Sequence, residues 1–412
     1  MDDQTLLRLT PEESEALAET FVMTEPCPSA EVAAKAHRAD EVSGVAEPAG
    51  VSVRLPMAAM ELNLTFNCNL ACDYCFVHNK DPQERMSLAT ATQAIVLLMD
   101  HAAYPQVTIT LIGGEPLLAF PLIKQIIPYA EEAARARHIQ INWGITTNGT
   151  LLTEEILQYF ADHRMNMMLS IDGGPETHDR YRRTKSGAGT WHRLAALIPL
   201  IQQYRSWVVA RMTVSPAAIE QMVDDFRQIV DLGINQVIIA PAQGAALWSL
   251  KEIEVYGRNL LAIMEEYHRL KQLGYPIYID DFEKESGPDE RWGCHAGIAS
   301  LAVAPNGDLY PCSKLLGLAD ETKRWKVGNV HTSIDYGRLE PLQDTAQSMP
   351  AHCRRCTRKC YGGCYAVNAE QTGNHFLPSE ETCLFWVVTR EVQRQSSTMR
   401  YSCSSCGNCP AM

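Results

Sequence analysis

Three cysteines, Cys68, Cys72 and Cys75, stand in the run LNLTFNCNLACDYCFVHN with the spacing C-x3-C-x2-C. Three thiolates held that close can each take one iron of a cubane cluster, leaving the fourth iron open to a small molecule. A closed zinc site would need a fourth ligand at matched spacing, and His78 is the one local candidate. A disulfide framework would need an even count. Buried apolar cysteines are common, but they do not ordinarily take this spacing at the end of a strand-like run. Here Leu62, Leu64 and Phe66 alternate with polar residues to form such a run.

The other cysteines are also clustered. Of fourteen in 412 residues, three lie at 68–75, ten lie from Cys294 onward, and Cys27 stands alone; residues 76–293 have none. In a cytoplasmic protein such grouping points to metal sites rather than disulfides. A cytoplasmic location is expected because the start, MDDQTLLRLTPEESEALAET, lacks a basic n-region and an apolar h-region. No apolar run reaches the length of a membrane span. The net charge of −13 speaks against a nucleic-acid binder, which is ordinarily basic.

The thiols need a scaffold. Strand patterns fall at 60–66, 107–112, 141–145, 166–171, 207–214 and 236–240, with helical patterns near 88–101, 121–137, 153–163, 190–204, 216–231 and 251–273. Ser215-Pro216 is a helix start. This alternation predicts an α/β fold with a parallel sheet. Six βα units rather than eight predict a partial (β/α)6 TIM-type barrel over residues 56–275, with its ligands at the C-terminal strand ends. Residues 1–55 are expected to be an extension or linker, with a short helix near 11–20 beginning at Thr10-Pro11. Residues 276–390 read as a small loop-rich, cysteine-bearing domain, and 391–412 as a cysteine-rich tail. Metal clusters would have to hold such a loop-rich region together.

Several polar motifs fall at the predicted strand ends. Gly113-Gly114-Glu115-Pro116 follows VTITLI, and its glycines permit close backbone approach. Thr146-Thr147-Asn148-Gly149 ends the third strand, and Ser170 and Asp172 end the fourth. Asp172 also suits a loop N-cap. Arg211 lies inside the fifth strand, where a cation needs a partner. The run HDRYRRTKSGAGTW, His178 to Trp191, reads as a basic, flexible loop above the barrel mouth; its Arg182 and Arg183 either meet substrate carboxylates or are simply solvated.

Together these residues resemble the radical S-adenosylmethionine (SAM) superfamily, whose cluster motif carries an aromatic residue where Tyr74 stands. The resemblance implies a 4Fe–4S cluster on Cys68, Cys72 and Cys75, whose open iron chelates the amino and carboxylate groups of SAM. Reductive cleavage of the S–C5′ bond would release a 5′-deoxyadenosyl radical that takes a hydrogen atom from the substrate. It further implies that Tyr74, Gly113, Gly114, Glu115, Asn148, Ser170, Asp172 and Arg211 line the SAM site. Glu115 would meet the ammonium and Arg211 the carboxylate, while VIIAPA would floor the adenine. The His178–Trp191 run is similar to that of members acting on peptides.

The C-terminal cysteines resemble a SPASM domain, the auxiliary-cluster domain of peptide-modifying members. Gly307-x4-Cys312, Cys353-x2-Cys356 and Cys360-x3-Cys364 fit its pattern, and Asn306-Gly307 suits a hairpin between two short strands. The spacing between Cys356 and Cys360 is x3 where the family has x5. Carried over, Cys294, Cys312 and Cys364 would hold one auxiliary 4Fe–4S cluster, and Cys353, Cys356, Cys360 and Cys383 a second, making three clusters in all. The first set has three thiolates, so an iron stays open to a soft substrate thiolate. A zinc ribbon at 353–364 is the alternative. The tail cysteines Cys403, Cys406 and Cys409 could supply the missing ligand, carry electrons or sulfur, or form a reduced thiol tail.

The function this implies is a peptide maturase acting on a ribosomally made precursor peptide. Thioether formation leads; carbon–carbon or carbon–oxygen linkage and sulfatase-type oxidation to formylglycine are alternatives. The sulfatase-maturing branch has Asp after the second auxiliary cysteine, where this chain has Ser313. An electron-transfer iron–sulfur protein is the non-enzymatic alternative. The expected partners are the precursor peptide and an electron donor such as flavodoxin or ferredoxin, with no nucleic acid and no membrane. Residues 1–55 look too short and proline-broken for a complete leader-binding winged helix, so leader recognition is expected on the barrel face or a separate partner.

Overall fold

The structure, a computed structural model, describes residues 55–77, 80–244, 247–284, 291–318, 322–357 and 360–404. The expected helix near 11–20, Cys27, His78, Cys406 and Cys409, and the side chain of Cys403, lie outside the described residues.

All six expected strands form: β1 Ala59–Asn63, β2 Gln106–Ile112, β3 Gln140–Thr147, β4 Asn166–Ser170, β5 Val209–Val214 and β6 Gln236–Pro241. Between them run α1 Leu88–His101, α2 Phe120–Arg135, α3 Glu154–Asp162, α4 Pro175–Tyr181, α5 Trp191–Tyr204 and α6 Met222–Asp231; α7 Leu250–Gln272 follows β6. Side-chain caps begin several of these, with Ser87 accepting from Thr90 N, Thr153 from Ile156 N, and Ser249 and Glu252 closing a capping box. The start at Ser215-Pro216 runs first through a 3-10 segment, Pro216–Gln221.

The strands pair in parallel in the order β6-β5-β4-β3-β2-β1. Burial alternates along each. Met60, Leu62, Val107, Ile109, Leu111, Ile145, Met167, Leu169, Ala210, Met212, Val237 and Ile239 are sealed against the helices. The intervening residues, including Glu61, Thr108, Thr110, Gly144, Thr146, Met168, Ser170, Arg211, Thr213 and Ile238, stay half-exposed. With a period of two, one face is core and the other lines an open lumen. This is the expected partial barrel.

The sheet does not end at six strands. β7 Ser300–Val303 adds in parallel to β1, β8 Asp308–Tyr310 in antiparallel to β7, and β9 Gly328–Asn329 to β8. The β7–β8 hairpin turns at Asn306-Gly307 as expected, with Gly307 at φ +88°. The free edge of β1 is thereby covered.

The C-terminal region holds more helix than its weak periodicity suggests. The helices include α8 Ser313–Gly317, α9 Tyr365–Thr372 and the 25-residue α10 Glu380–Ser404, which runs across the expected boundary at 390/391. Its buried stripe, Leu384, Val388, Val392 and Ser396, repeats every fourth residue and packs on α7. Phe385 completes an aromatic triad, 5.1 Å from Trp248 and 5.2 Å from Tyr256 in edge-to-face geometry. No helix among the described residues is long and apolar enough to cross a membrane.

Trp248 is 1% exposed and its indole N–H donates to Ala242 O at 2.7 Å. Trp248→Ala is expected to cost about 3–5 kcal/mol in denaturant unfolding. An unchanged midpoint would mean that α10 is not part of the cooperative core.

Candidate active site

The cysteine loop, 64–77, contains no helix or paired strand of its own beyond single bridges of Thr65 to Arg85 and Leu70 to Thr184. Its neighbours shape it. Gly114 N donates to Thr65 O at 2.7 Å, and Glu115 N to Asn67 O at 2.9 Å. The two glycines are required for this contact: a Cβ on Gly113 would fall 2.3 Å from Thr65 O, and one on Gly114 2.1 Å from Asn67 O. Gly113 also has φ +142°. The close approach anticipated for a ligand is thus made to the cysteine loop itself.

Glu115 is 1% exposed. Its carboxylate accepts from Leu117 N at 3.0 Å, Thr147 Oγ1 at 2.7 Å and Asn148 N at 2.8 Å. Burial pushes its pKa up, against those three donors. Three donors leave one acceptor position of the carboxylate open. Asn148 Nδ2 in turn reaches Asn69 Oδ1 at 2.9 Å and Cys68 Sγ at 3.8 Å, while Asn69 Nδ2 donates to Thr150 Oγ1 at 2.8 Å. The end of β3 is therefore clamped to the first cysteine.

The other side of the loop is held by the segment after β4, and here the structure corrects the expectation. The His178–Trp191 run is not a free loop: its start lies in α4, its end opens α5, and Ala71 N donates to Arg183 O at 2.8 Å. Arg182 is neither solvated nor facing a substrate. It is 7% exposed and forms a two-pronged pair with Asp172, Nε to Oδ2 at 2.7 Å and Nη2 to Oδ1 at 3.0 Å. Arg183 is exposed and bonds Asp179 O.

Asp172 does not act as a loop N-cap; Gly174 occupies the N-cap of α4. Asp172 accepts instead from Arg182, from Thr213 N at 2.9 Å and from the Tyr74 hydroxyl. The Arg182 guanidinium lies 5.3 Å from the Tyr74 ring centroid. Tyr74, Asp172 and Arg182 thus form one buried network against the third turn of the cysteine loop. The Tyr74 hydroxyl is held well above its ordinary pKa, first by burial.

Ser170 and Arg211 occupy neighbouring lumen positions, paired across β4 and β5. Burial lowers the Arg211 pKa, and among the described residues its guanidinium makes no hydrogen bond or ion pair. A largely desolvated cation in that condition suits an anionic ligand group.

The three thiols are half-buried and electrostatically close: Cys72 and Cys68 each feel Cys75, and Cys72 feels Cys68. Burial, partly opposed by Arg182, pushes Cys72 up to about 12. Thiols in this setting stay protonated unless a metal supplies the positive charge. Soft sulfur donors on one loop, with Leu70 N and Asn148 Nδ2 aimed at Cys68 Sγ, fit an iron–sulfur cluster. Among the described residues no group of His, Cys, Asp and Glu converges on a point fit for a single metal ion. A cubane places each thiolate on a different iron and needs no such convergence.

In the C-terminal region the structure brings Cys294, Cys312 and Cys364 together. Burial is the main cause raising Cys294 and Cys312, and each also feels Cys364. Cys353 and Cys356 bracket a short helix end, with Cys356 N donating to Cys353 O at 3.1 Å, and Cys383 lies in the first turn of α10.

The role of Arg182 is what sequence reading missed. The Arg182–Asp172 pair spans ten positions across α4, and only a basic residue beside a predicted strand-end acid hinted at it.

Removing one partner of a buried ion pair costs about 3–5 kcal/mol. Arg182→Gln is expected to destabilise by that order in chemical denaturation and to lower iron content after anaerobic reconstitution. Full stability with full iron loading would contradict the clamp. His178, buried behind Arg182, has its pKa pulled down to about 4, first by burial and then by the Arg182 cation. The unfolded chain binds that proton below about pH 6.5 and the folded one does not. Stability should therefore fall by about 3 kcal/mol between pH 6.5 and 4 from this group. His178→Gln should flatten that slope; superimposable pH–stability curves would refute the assignment.

Residues 62–240 match the model of the radical SAM superfamily, a span that holds the cysteine loop, the strand-end motifs and β6. The serine-type anaerobic sulfatase-maturating enzyme of Bacteroides thetaiotaomicron is 26% identical over 350 residues, covering 75% of this chain and 81% of that protein. Among solved structures, anSMEcpe with bound AdoMet and Cp18Cys peptide has TM-score 0.71 at 17% identity, covering 84% of this chain and 99% of that one. Streptococcus suis SuiB bound to precursor peptide SuiA has TM-score 0.58 at 16% identity, covering 93% and 84%. The fold is shared with both. The thiol loop, lumen and strand-end motifs all fall inside the matched span, so residues 62–240 are a radical SAM domain and the chain is a radical SAM enzyme that uses SAM and a 4Fe–4S cluster.

Proposed function

We propose that this enzyme modifies a ribosomally made peptide, joining a cysteine sulfur to a carbon of another residue as a thioether. The observation that carries the reading is the meeting of Cys294, Cys312 and Cys364 beside the barrel. Three thiolates on a cubane leave one iron for a substrate thiolate. The names of relatives support a peptide substrate: one matures sulfatases, and SuiB was solved with a precursor peptide.

When bound, the cofactors supply the hard chemistry, with SAM cleavage giving a 5′-deoxyadenosyl radical that takes one hydrogen atom and C-terminal iron–sulfur centres accepting the surplus electron. The chain's residues orient and shield. Cys68, Cys72 and Cys75 would hold the reducing cluster, with Asn148 fixing Cys68 and the Tyr74–Asp172–Arg182 network fixing the far side of the loop. The open acceptor of Glu115 suits the SAM ammonium, and Arg211 its carboxylate. Ser170 lies in the same lumen layer as Arg211. Cys353, Cys356, Cys360 and Cys383 would hold the second auxiliary cluster and pass electrons from a donor such as flavodoxin or ferredoxin.

Oxidation of a serine or cysteine to formylglycine is the second reading, favoured by the sulfatase-maturating relative. Carbon–carbon or carbon–oxygen linkage would use the same barrel.

The test is anaerobic co-expression with the peptide encoded beside this gene, then iodoacetamide and mass spectrometry. Loss of two hydrogens with one cysteine no longer alkylating is expected. The Cys364→Ala variant should lose that product while still releasing 5′-deoxyadenosine. Loss of two hydrogens with every cysteine still alkylating would replace thioether formation with another linkage or a serine oxidation. An unmodified peptide would overturn the peptide reading.

A further inference from the structure

The lumen faces of the six barrel strands carry two ionisable side chains, Arg211 on β5 and Glu61 on β1. The other acids near the mouth are already engaged: Asp172 by Arg182, Tyr74 and Thr213 N, and Glu115 by three donors. Glu61 differs. Its Oε2 accepts from Ser313 N at 2.9 Å, the first residue of α8. Its Oε1 takes no hydrogen bond among the described residues and is not sealed from solvent.

The placement of Glu61 is built rather than incidental. β1 is flanked in parallel by β2 and β7, so Glu61 sits between Thr110 and Ala302. Asn63, fully buried, ties the same strand to the C-terminal region by donating to Ser313 Oγ at 3.0 Å and Val303 O at 3.2 Å. Ser313 follows Cys312 directly, and the Glu61 charge is felt at the Cys312 thiol. A carboxylate with one fixed and one free oxygen therefore faces the lumen where the barrel meets the Cys294–Cys312–Cys364 group.

We infer that Glu61 is a substrate-contacting residue: its free Oε1 accepts a hydrogen bond from the hydroxyl of the peptide side chain undergoing modification, or from its thiol before the sulfur reaches the iron, and orients it between the lumen and Cys312. An acceptor-only group selects an O–H or S–H donor and disfavours an aliphatic or carboxylate side chain. This deepens the peptide reading above and rests on it.

Glu61→Gln keeps an oxygen for Ser313 N but turns the free acceptor into an N–H donor. The full-length enzyme, Glu61→Gln and Glu61→Asp are compared anaerobically with SAM and dithionite. The probes are the peptide encoded beside the gene and two synthetic peptides spanning the matured residue of a sulfatase, one with serine and one with cysteine there. Iron content, SAM affinity and thermal midpoint of Glu61→Gln should match wild type, while peptide modification falls about 100-fold. Glu61→Asp keeps an acceptor-only carboxylate one methylene shorter and should lose about tenfold, less than Glu61→Gln. A structural role alone would not favour Asp over the isosteric Gln. Wild-type rates in Glu61→Gln on a peptide the wild type modifies would overturn the inference by itself. A wild type inert on every peptide would overturn the peptide reading and this inference together.

Discussion

A loop without regular hydrogen bonding carries the three cysteines on which this enzyme's chemistry is proposed to rest, so its shape is imposed from outside. Backbone amides of Gly114 and Glu115 fasten its first turn, Asn148 fastens Cys68, and the strand-end pair Asp172–Arg182 closes the third side through Tyr74. Every one of these contacts comes from a different βα unit. The barrel is what makes them converge, because parallel strands deliver their C-terminal ends to one rim. Loss of any single unit would leave the thiols attached to the chain but unpositioned.

The buried ion pair illustrates the balance of terms. Burial opposes charge on Arg182, yet Asp172 and the neighbouring Tyr74 more than offset it, and the guanidinium stays charged. Such a pair contributes little net stability over an apolar replacement. What it supplies is geometry: a planar fork that reads two carboxylate oxygens while its face lies over Tyr74. It also sets a fixed positive charge near Cys72. A lysine there would keep the charge and lose the fork.

Much of the barrel was legible in the sequence because each strand is short with apolar residues at alternate positions, and most helices open on a cap or a proline. Strand limits at 107–112 and 236–240 lie within a residue of Gln106–Ile112 and Gln236–Pro241. The thiol spacing was equally legible, since it is local. What was not legible is non-local. Gly113 and Gly114 read as room for a ligand, because sequence does not say which backbone approaches them. Arg182 read as solvated or as facing substrate, because its partner lies across a helix. β7 was readable as a short strand, but its pairing to β1 was not, and α10 hid its every-fourth-residue stripe among charged residues. Glu61 drew no reading of its own, because nothing local in the sequence marks its contact with Ser313.

The covering of β1 by β7 has a consequence for how the chain is made. Asn63 and Val303, hydrogen-bonded in the finished sheet, are 240 residues apart. At synthesis rates of about 5–20 residues per second, β1 waits roughly 10–50 s for its second neighbour. Throughout that interval β1, with Met60 and Leu62 on one face and the first three thiols beyond its end, presents an open edge to other chains. The cell's handling of the nascent chain, and the moment at which iron reaches it, are thus tied to one long-range strand pairing.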